Sequence, residues 1–196
     1  NYCIMTLITS ISGIRGTVGG QTGSGLTPLD IVKFASSYAR WLKQAMNKQK
    51  PLVVIGRDAR VSGPMVEKIV TGTLMGMGLD VVTLGLATTP TVELAVTMEK
   101  ADGGIILTAS HNPAEWNALK LLNWEGEFLD ADEGAEILRF AKDAVFDHPD
   151  YASLGKHAEA VDYNRRHIEQ VLALRLVDPN KIRKAGFKVA IDCVNS

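Results

Sequence analysis

The chain has 196 residues and is 46% hydrophobic, enough for one ordinary domain and part of another. A formal charge of −1 leaves no basic footprint for nucleic acid or for an anionic membrane surface. No run approaches the roughly 18 apolar residues of a membrane span, and the N-terminus lacks the ordered parts of a signal peptide, so a cytoplasmic protein is expected.

Met5 marks a candidate start, with Asn1 to Ile4 as an upstream extension. Thr6 to Ile11 reads as a first strand, and Ser12 to Gly25 as a polar, glycine-rich loop. Thr27-Pro28-Leu29-Asp30 opens a helix: Thr27 can cap, Pro28 suits the first turn, and Asp30 can complete a capping box. Ile31, Phe34, Ala35, Tyr38, Leu42, Ala45 and Met46 then recur at helical spacing. Lys43, Lys48 and Lys50 gather at its end, where cations suit the dipole. After Pro51, Leu52-Val53-Val54-Ile55-Gly56 is the continuous apolar run of a strand covered on both faces. Ser62-Gly63-Pro64 starts a second helix that Gly78 stops. Asp80 to Leu86 is a strand, Thr88-Thr89-Pro90 opens a helix to Met98, and Ala101 to Thr108 is the next strand. Ala118 to Leu122 and Glu127 to Leu129 read as a hairpin around Trp124-Glu125-Gly126. Asp130 caps a helix to Val145, which accounts for Asp130, Asp132 and Glu133 without a metal.

Alternating strands and helices with short links predict an α/β fold: a doubly wound, largely parallel mixed sheet flanked by helices. Residues 1–155 form this domain, with its boundary in the aperiodic stretch Asp147 to Lys156. A linker helix is expected within 156–185, over Val161 to Leu174. Residues 186–196 are expected to open a second domain with the strand Phe187 to Asp192, continuing past Ser196. Cys3 and Cys193 form no CxxC motif, and Cys193, within that β-like run, is expected to be a small buried hydrophobe. Nothing suggests a disulfide framework.

The sharpest feature is Thr108-Ala109-Ser110-His111-Asn112-Pro113-Ala114, directly after the apolar Gly104-Ile105-Ile106-Leu107. A buried strand ends there and delivers a serine, a histidine and an asparagine into one tight loop, with Pro113 biasing Asn112 away from helix. Open α/β sheets bind ligands at such carboxyl ends. Two further polar, glycine-containing segments follow predicted strands: Ser12-Gly13-Ile14-Arg15-Gly16-Thr17 and Gly56-Arg57-Asp58-Ala59-Arg60-Val61-Ser62. Glycine lets a backbone approach a ligand, and arginine grips phosphate through a planar fork. Three such loops on one rim point to an anionic ligand, with phosphate leading. A serine-hydrolase reading of Ser110 lacks the G-x-S-x-G turn. Taken singly, Ser110 also reads as a loop hydroxyl and His111 as a structural histidine. Lys120, in Asn117-Ala118-Leu119-Lys120, also reads as an exposed charge.

In this order, the Ser12 to Thr17, Gly56 to Arg60, Thr108 to Pro113 and Asn117 to Lys120 segments resemble the α-D-phosphohexomutases. That superfamily includes phosphoglucomutase, phosphomannomutase and phosphoglucosamine mutase. The likeness covers essentially the whole chain, since Val189-Ala190-Ile191-Asp192 resembles the opening strand of the family's second domain. It implies that Ser110 carries a transferable phosphoryl group, with Arg15 beside it to neutralise its charge. His111 and Asn112 are implied to orient the phosphate or the sugar hydroxyl, and Lys120 to handle the proton of that hydroxyl. Arg57 and Asp58 are implied as substrate- or phosphate-binding walls of the site.

The implied reaction exchanges 6-phospho and 1-phospho hexoses through a sugar bisphosphate. The implied cofactors are Mg²⁺, held through the Ser110 phosphate and by ligands beyond Ser196, and an activator of the glucose 1,6-bisphosphate type. The implied partner is a small phosphosugar, with no nucleic acid or membrane and with the oligomeric state open. Because the family's metal and sugar loops lie past Ser196, residues 1–196 alone are expected to be inactive. Ala118 stands where the family usually has glycine, a methyl that a negative φ tolerates. Ser10-Ile11-Ser12-Gly13-Ile14-Arg15-Gly16 departs from the Thr-Asp-Gly-Ile-Arg-Gly of many phosphoglucosamine mutases. The reading therefore leans to a phosphoglucomutase/phosphomannomutase type. Phosphoglucosamine mutase, or a non-catalytic phosphosugar-binding protein, is the alternative.

Overall fold

A computed structural model describes residues 5–10, 13–160 and 162–193. In chain order these form β1 (Ile8–Ser10), β2 (Gly13–Thr17), α1 (Pro28–Ala45), β3 (Leu52–Arg57), α2 (Gly63–Gly76), β4 (Asp80–Leu86) and α3 (Thr89–Glu99). There follow β5 (Gly103–Leu107), β6 (Trp116–Leu122), α4 (Ala131–Asp143), β7 (His157–Glu159), α5 (Tyr163–Leu172) and α6 (Pro179–Lys184). The strands make one sheet in the order β1-β2-β6-β5-β3-β4-β7. β5, β3, β4 and β7 pair in parallel, while β6 is antiparallel to both β5 and β2, so β2 runs with the parallel block. Only β1 and β6 run the other way.

The sheet is covered on both faces, as the apolar runs of β3 and β5 require. One core joins α1, α2 and α4, through Phe34, Leu42, Val70, Leu74 and Phe140, to Val53, Ile55, Ile105, Leu107 and Leu119. The other packs Val92, Ala95 and Val96 of α3 against Val54, Ile106 and Leu122. Odd and even residues of β3 and β5 thus point into different cores, as strand geometry dictates. Tyr163 closes the second core and donates its hydroxyl to Glu99, which anchors α5 to α3.

Helix starts form where the sequence places them. Thr27 accepts from Asp30 N at 3.3 Å, and the buried Asp30 carboxylate accepts from Thr27 N at 3.2 Å and Gly23 N at 3.0 Å. That carboxylate therefore caps α1 and also pins the glycine-rich loop before it. Asp130 and Glu133 form a second capping box, and Thr88 caps α3. Ser62 makes no cap bond; its hydroxyl instead accepts from Asn117 Nδ2 at 2.9 Å. Lys48 pairs with Asp102 at 2.7 Å and Lys50 with Asp80 at 3.3 Å. Two of the three lysines of the basic cluster are thereby matched to carboxylates.

Several expectations need correction. Gly13–Thr17 is a strand, not a loop, because it pairs antiparallel with β6, a long-range contact that local glycine content hides. Gly13 has φ +127°, and a Cβ there would collide with Leu119 O, so the residue is required by this pairing. The expected hairpin reduces to one bridge, Leu122 to Phe128, closed by a turn in which Asn123 Oδ1 accepts from Glu125 N and Glu127 N. The boundary expected near residue 155 is crossed by the sheet: β7 pairs with β4 in the register Val82 to Ala158. The helix expected over Val161 to Leu174 forms as α5, a second helix, α6, follows it within 156–185, and Val161 lies outside the described residues. Residues 187–193 form no strand, and Phe187, Val189 and Ile191 are exposed, since no described strand pairs with them. Cys193 is exposed for the same reason, not buried. Ile11, Ser12, Cys3 and Val194 to Ser196 also lie outside the described residues.

Two outcomes are expected from these contacts. Asp30→Ala strands two backbone donors and should lower the unfolding free energy by about 3 kcal/mol in urea denaturation. A loss below about 1 kcal/mol would mean that water replaces the carboxylate. On α3, burial raises the Glu93 carboxyl above its ordinary pKa, partly offset by the Lys120 cation. Folding then favours the protonated acid, so its contribution is present below the unfolded pKa and is lost as pH rises through the raised folded value. The stability gained by Glu93→Gln should accordingly be larger at about pH 8 than at about pH 4.

Candidate active site

The parallel neighbours β3 and β5 end side by side, with Arg57 opposite Leu107 and Asp58 N donating to Leu107 O at 3.1 Å. From β3 the chain moves to one side of the sheet to build β4, then returns past β3 to build β5. Their carboxyl ends therefore flank the kind of crevice in which open α/β sheets hold ligands. The loops that leave here are 58–62 and 108–115.

The 108–115 loop folds into a tight turn stabilised from within. Asn112 donates both its backbone N–H and its side-chain Nδ2 to Ala109 O, at 3.1 and 2.7 Å. Ser110 N–H donates to Thr108 Oγ1 at 3.1 Å. Ser110 itself has φ +55°, a left-handed conformation that costs an ordinary residue about 1–2 kcal/mol. The turn holds this strain at an exposed serine, which is where strained backbone tends to serve function.

A pocket of about 300 Å³ opens beside that serine. It gathers Ser110, His111 and Asn112 from the loop, Arg15 from β2, Lys120 from β6, and Phe128. Register explains the grouping: Arg15 lies opposite Ala118, and Ala118 and Lys120 share a face of β6. Ala118 is not among the positive-φ residues, so the methyl in place of glycine is tolerated. Lys120 Nζ sits 5.8 Å from the Phe128 ring centroid, and neither Lys120 nor Arg15 is in an ion pair among the described residues. The lining carries two fixed cations and no carboxylate, which suits an anionic ligand.

Arg57 and Asp58 stand apart from this group. They line an adjacent pocket of about 460 Å³ with Leu86, Thr88, Thr89 and Asn164, and Thr108 borders both spaces. The Arg57 guanidinium approaches Glu67 at 2.8 Å. Asp58 commits both carboxylate oxygens to Arg60, accepting from its backbone N at 3.0 Å and from Nε at 3.1 Å. Five of the seven expected residues thus share one pocket, and two face the next.

Arg60, assigned no role from the sequence, is the residue that joins the two loops. Its guanidinium donates to Ser110 O, Asn112 O, Pro113 O and Trp116 O at 2.6–3.0 Å. Only its place in the Gly56 to Ser62 segment marked it, because its partners lie 50–56 residues away. Phe128 was silent as a site residue, and Thr108 was marked only by its place in the Thr108 to Pro113 segment.

Among the described residues, no three His, Cys, Asp or Glu side chains gather to hold a metal ion. Mg²⁺ takes oxygen ligands, chiefly carboxylates and phosphates. The side chains of this pocket do not form such a set, and only a phosphate on Ser110 would offer it a ligand here. No helix among the described residues is long and apolar enough to cross a membrane.

Comparison with known proteins agrees with this geometry. Residues 7–147 match the family described as phosphoglucomutase/phosphomannomutase, alpha/beta/alpha domain I. A probable phosphoglucosamine mutase of Methanosphaera stadtmanae is 32% identical over 93% of the chain, which covers 38% of that protein. A phosphoglucomutase/phosphomannomutase of Thermococcus kodakarensis is 34% identical over 93% of the chain, again covering 38% of its length. A putative phosphomannomutase from Thermus thermophilus superposes with a TM-score of 0.71 at 28% identity, over 86% of this chain and 36% of that one. The chain therefore spans well under half the length of these relatives. A strained, exposed serine in a cationic pocket at the sheet's switch point is thus accompanied by the family's own sequence pattern, and the chain belongs to the phosphoglucomutase/phosphomannomutase family through its α/β/α domain I.

Proposed function

We propose that the protein carrying this chain is a phosphohexomutase of the phosphoglucomutase/phosphomannomutase type, with Ser110 as its phosphoryl carrier. The observation that carries this reading is the left-handed, exposed Ser110 in a pocket whose fixed charges, Arg15 and Lys120, are both cationic. A phosphoserine brings about −1.5 to −2 charges and three acceptor oxygens, and such a lining would receive it.

Phosphoryl transfer needs in-line placement and charge neutralisation more than covalent chemistry from the protein. In the forward step the Ser110 Oγ–P bond breaks as a bond from a sugar hydroxyl to phosphorus forms. Lys120 relays the proton, its ammonium giving one to the released Ser110 oxygen and taking up the one the sugar hydroxyl loses. The sugar bisphosphate then turns over, and its other phosphoryl group returns to Ser110, with Lys120 relaying the Ser110 hydroxyl proton to the sugar oxygen that is released. Arg15 pairs with phosphate oxygens, which suits its planar fork. His111 and Asn112 orient the phosphate or the attacking hydroxyl, and Arg57 and Asp58 wall the adjacent space. Mg²⁺ held by a Ser110 phosphate would supply further charge neutralisation. A glucose 1,6-bisphosphate type activator would load the serine.

The hexose is the open part. Names among the relatives include both phosphoglucomutase/phosphomannomutase and phosphoglucosamine mutase, so an amino-sugar substrate is the second reading. Turnover of glucose, mannose and glucosamine phosphates by the full gene product separates the two.

Intact-mass analysis of the full gene product, before and after glucose 1,6-bisphosphate, should show one added phosphate on Ser110 and none in Ser110→Ala. No phosphate under any bisphosphate tested would favour a non-catalytic phosphosugar-binding protein. Lys120→Met should retain the phosphate but lower kcat by about 10²–10⁴-fold; near-normal turnover would remove Lys120 from the proton path.

A further inference from the structure

We infer that Arg60 is a positioning residue for phosphoryl transfer, clamping the 110–116 segment so that Ser110 stays in its left-handed turn. The inference rests on the phosphoserine reading above. A guanidinium has five N–H donors and no acceptor. In Arg60, Nη1 donates to Pro113 O at 2.6 Å and Trp116 O at 3.0 Å. Nη2 donates to Ser110 O at 2.8 Å and Asn112 O at 2.7 Å. Nε donates to Asp58 Oδ2 at 3.1 Å. All five donors are engaged within the protein, so this side chain has none left for a ligand. Its charge holds backbone in place.

Converging carbonyl dipoles repel one another unless a cation sits among them. A loop in which Ser110, Asn112, Pro113 and Trp116 all aim their carbonyls at one point is therefore an arrangement that a cation maintains. The guanidinium side chain is only 12% exposed, and Asp58 holds it from behind through Oδ2, while its Oδ1 accepts from the Arg60 backbone N–H. Lysine could not substitute, since a compact ammonium has three donors and no fixed fork. The bond to Ser110 O bears on the residue whose φ is +55°. With the clamp gone, the serine can relax to an unstrained turn, and its hydroxyl moves off the line of transfer. This role also accounts for Asp58: it orients Arg60, and so acts on the serine at one remove.

The test uses Arg60→Ala and Arg60→Lys in the full gene product, with glucose 1,6-bisphosphate as the phosphoryl donor. Single-turnover phosphorylation of Ser110, followed by intact mass, should slow about 100-fold in Arg60→Ala, the scale of a misplacement near 1 Å. The bisphosphate concentration for half-saturation should change less than about threefold, because no ligand contact is lost. Arg60→Lys should not restore the rate. Hydrogen exchange of residues 108–116 should accelerate about tenfold or more in both variants, with the sheet amides unchanged. A wild-type rate in Arg60→Ala, or a loss confined to half-saturation, overturns the proposal. If Arg60→Ala does not fold, Arg60→Lys and Asp58→Asn carry the same two readouts. A wild-type protein that takes up no phosphate overturns the phosphoserine reading and, with it, the role in transfer. In that case unchanged exchange in the Arg60 variants overturns the clamp as well.

Discussion

The pocket is organised around β5, which bonds in parallel to β3 on one edge and antiparallel to β6 on the other. The parallel edge brings the end of β3, with Arg57 to Arg60, beside Thr108. The antiparallel edge brings Lys120 and Ala118 alongside, and β2 adds Arg15 through β6. This central place is possible because β5 is thin at its start. A Cβ on Gly103 would collide with the Tyr38 hydroxyl, and one on Gly104 would press on Val96 at 2.7 Å. Helices on both faces thus approach the strand closely, and Tyr38 donates to Leu122 O at 2.7 Å across the β5–β6 seam. The site is a consequence of how tightly the middle of the sheet is packed.

That rigidity lets the 108–115 loop hold a conformation it would not hold alone. A left-handed serine costs about 1–2 kcal/mol, and hydrogen bonds to charged groups contribute about 1.5–3 kcal/mol each. The internal bonds of the turn and the Arg60 fork together exceed the strain by a wide margin. Without a firm anchor, however, the same bonds would simply drift with the loop. The anchor is Asp58, whose N–H donates to the last residue of β5 and whose carboxylate fixes Arg60. Strand, carboxylate, guanidinium and loop form one chain of bonded parts that ends at Ser110.

What could be read from the sequence followed from local physics. Thr27 with Asp30, Asp130 with Glu133 and Thr88 are caps whose partners lie three residues away. The apolar runs of β3 and β5 declared a doubly covered sheet. The Ser110 loop was legible as a candidate site because a serine, a histidine and an asparagine follow one another directly at the end of a buried strand. Elements that depend on distant partners were not legible. Gly13–Thr17 looked like a loop, since its strand character comes from pairing with residues about a hundred positions on. His157–Glu159 is exposed on an edge and too short for any period to show. Phe187 to Asp192 has a strand's composition, but no described strand pairs with it. Arg60 had the right neighbours in sequence and no sign of its carbonyl targets.

The allocation of charge around the two pockets follows from these pairings and bears on what each arginine can do. The Gly56 to Ser62 segment carries two arginines, and both are matched at close range, Arg57 by Glu67 and Arg60 by Asp58. A guanidinium so paired has little net field to offer an incoming anion, since opposite charges about 3 Å apart largely cancel at distance. Arg15 and Lys120, in contrast, come from adjacent antiparallel strands and have no carboxylate in an ion pair among the described residues. The positive field in the serine pocket is therefore set by β2 and β6, and the arginine-rich loop contributes shape. An anion drawn to this rim is steered toward Ser110 and away from the adjacent space lined by Arg57.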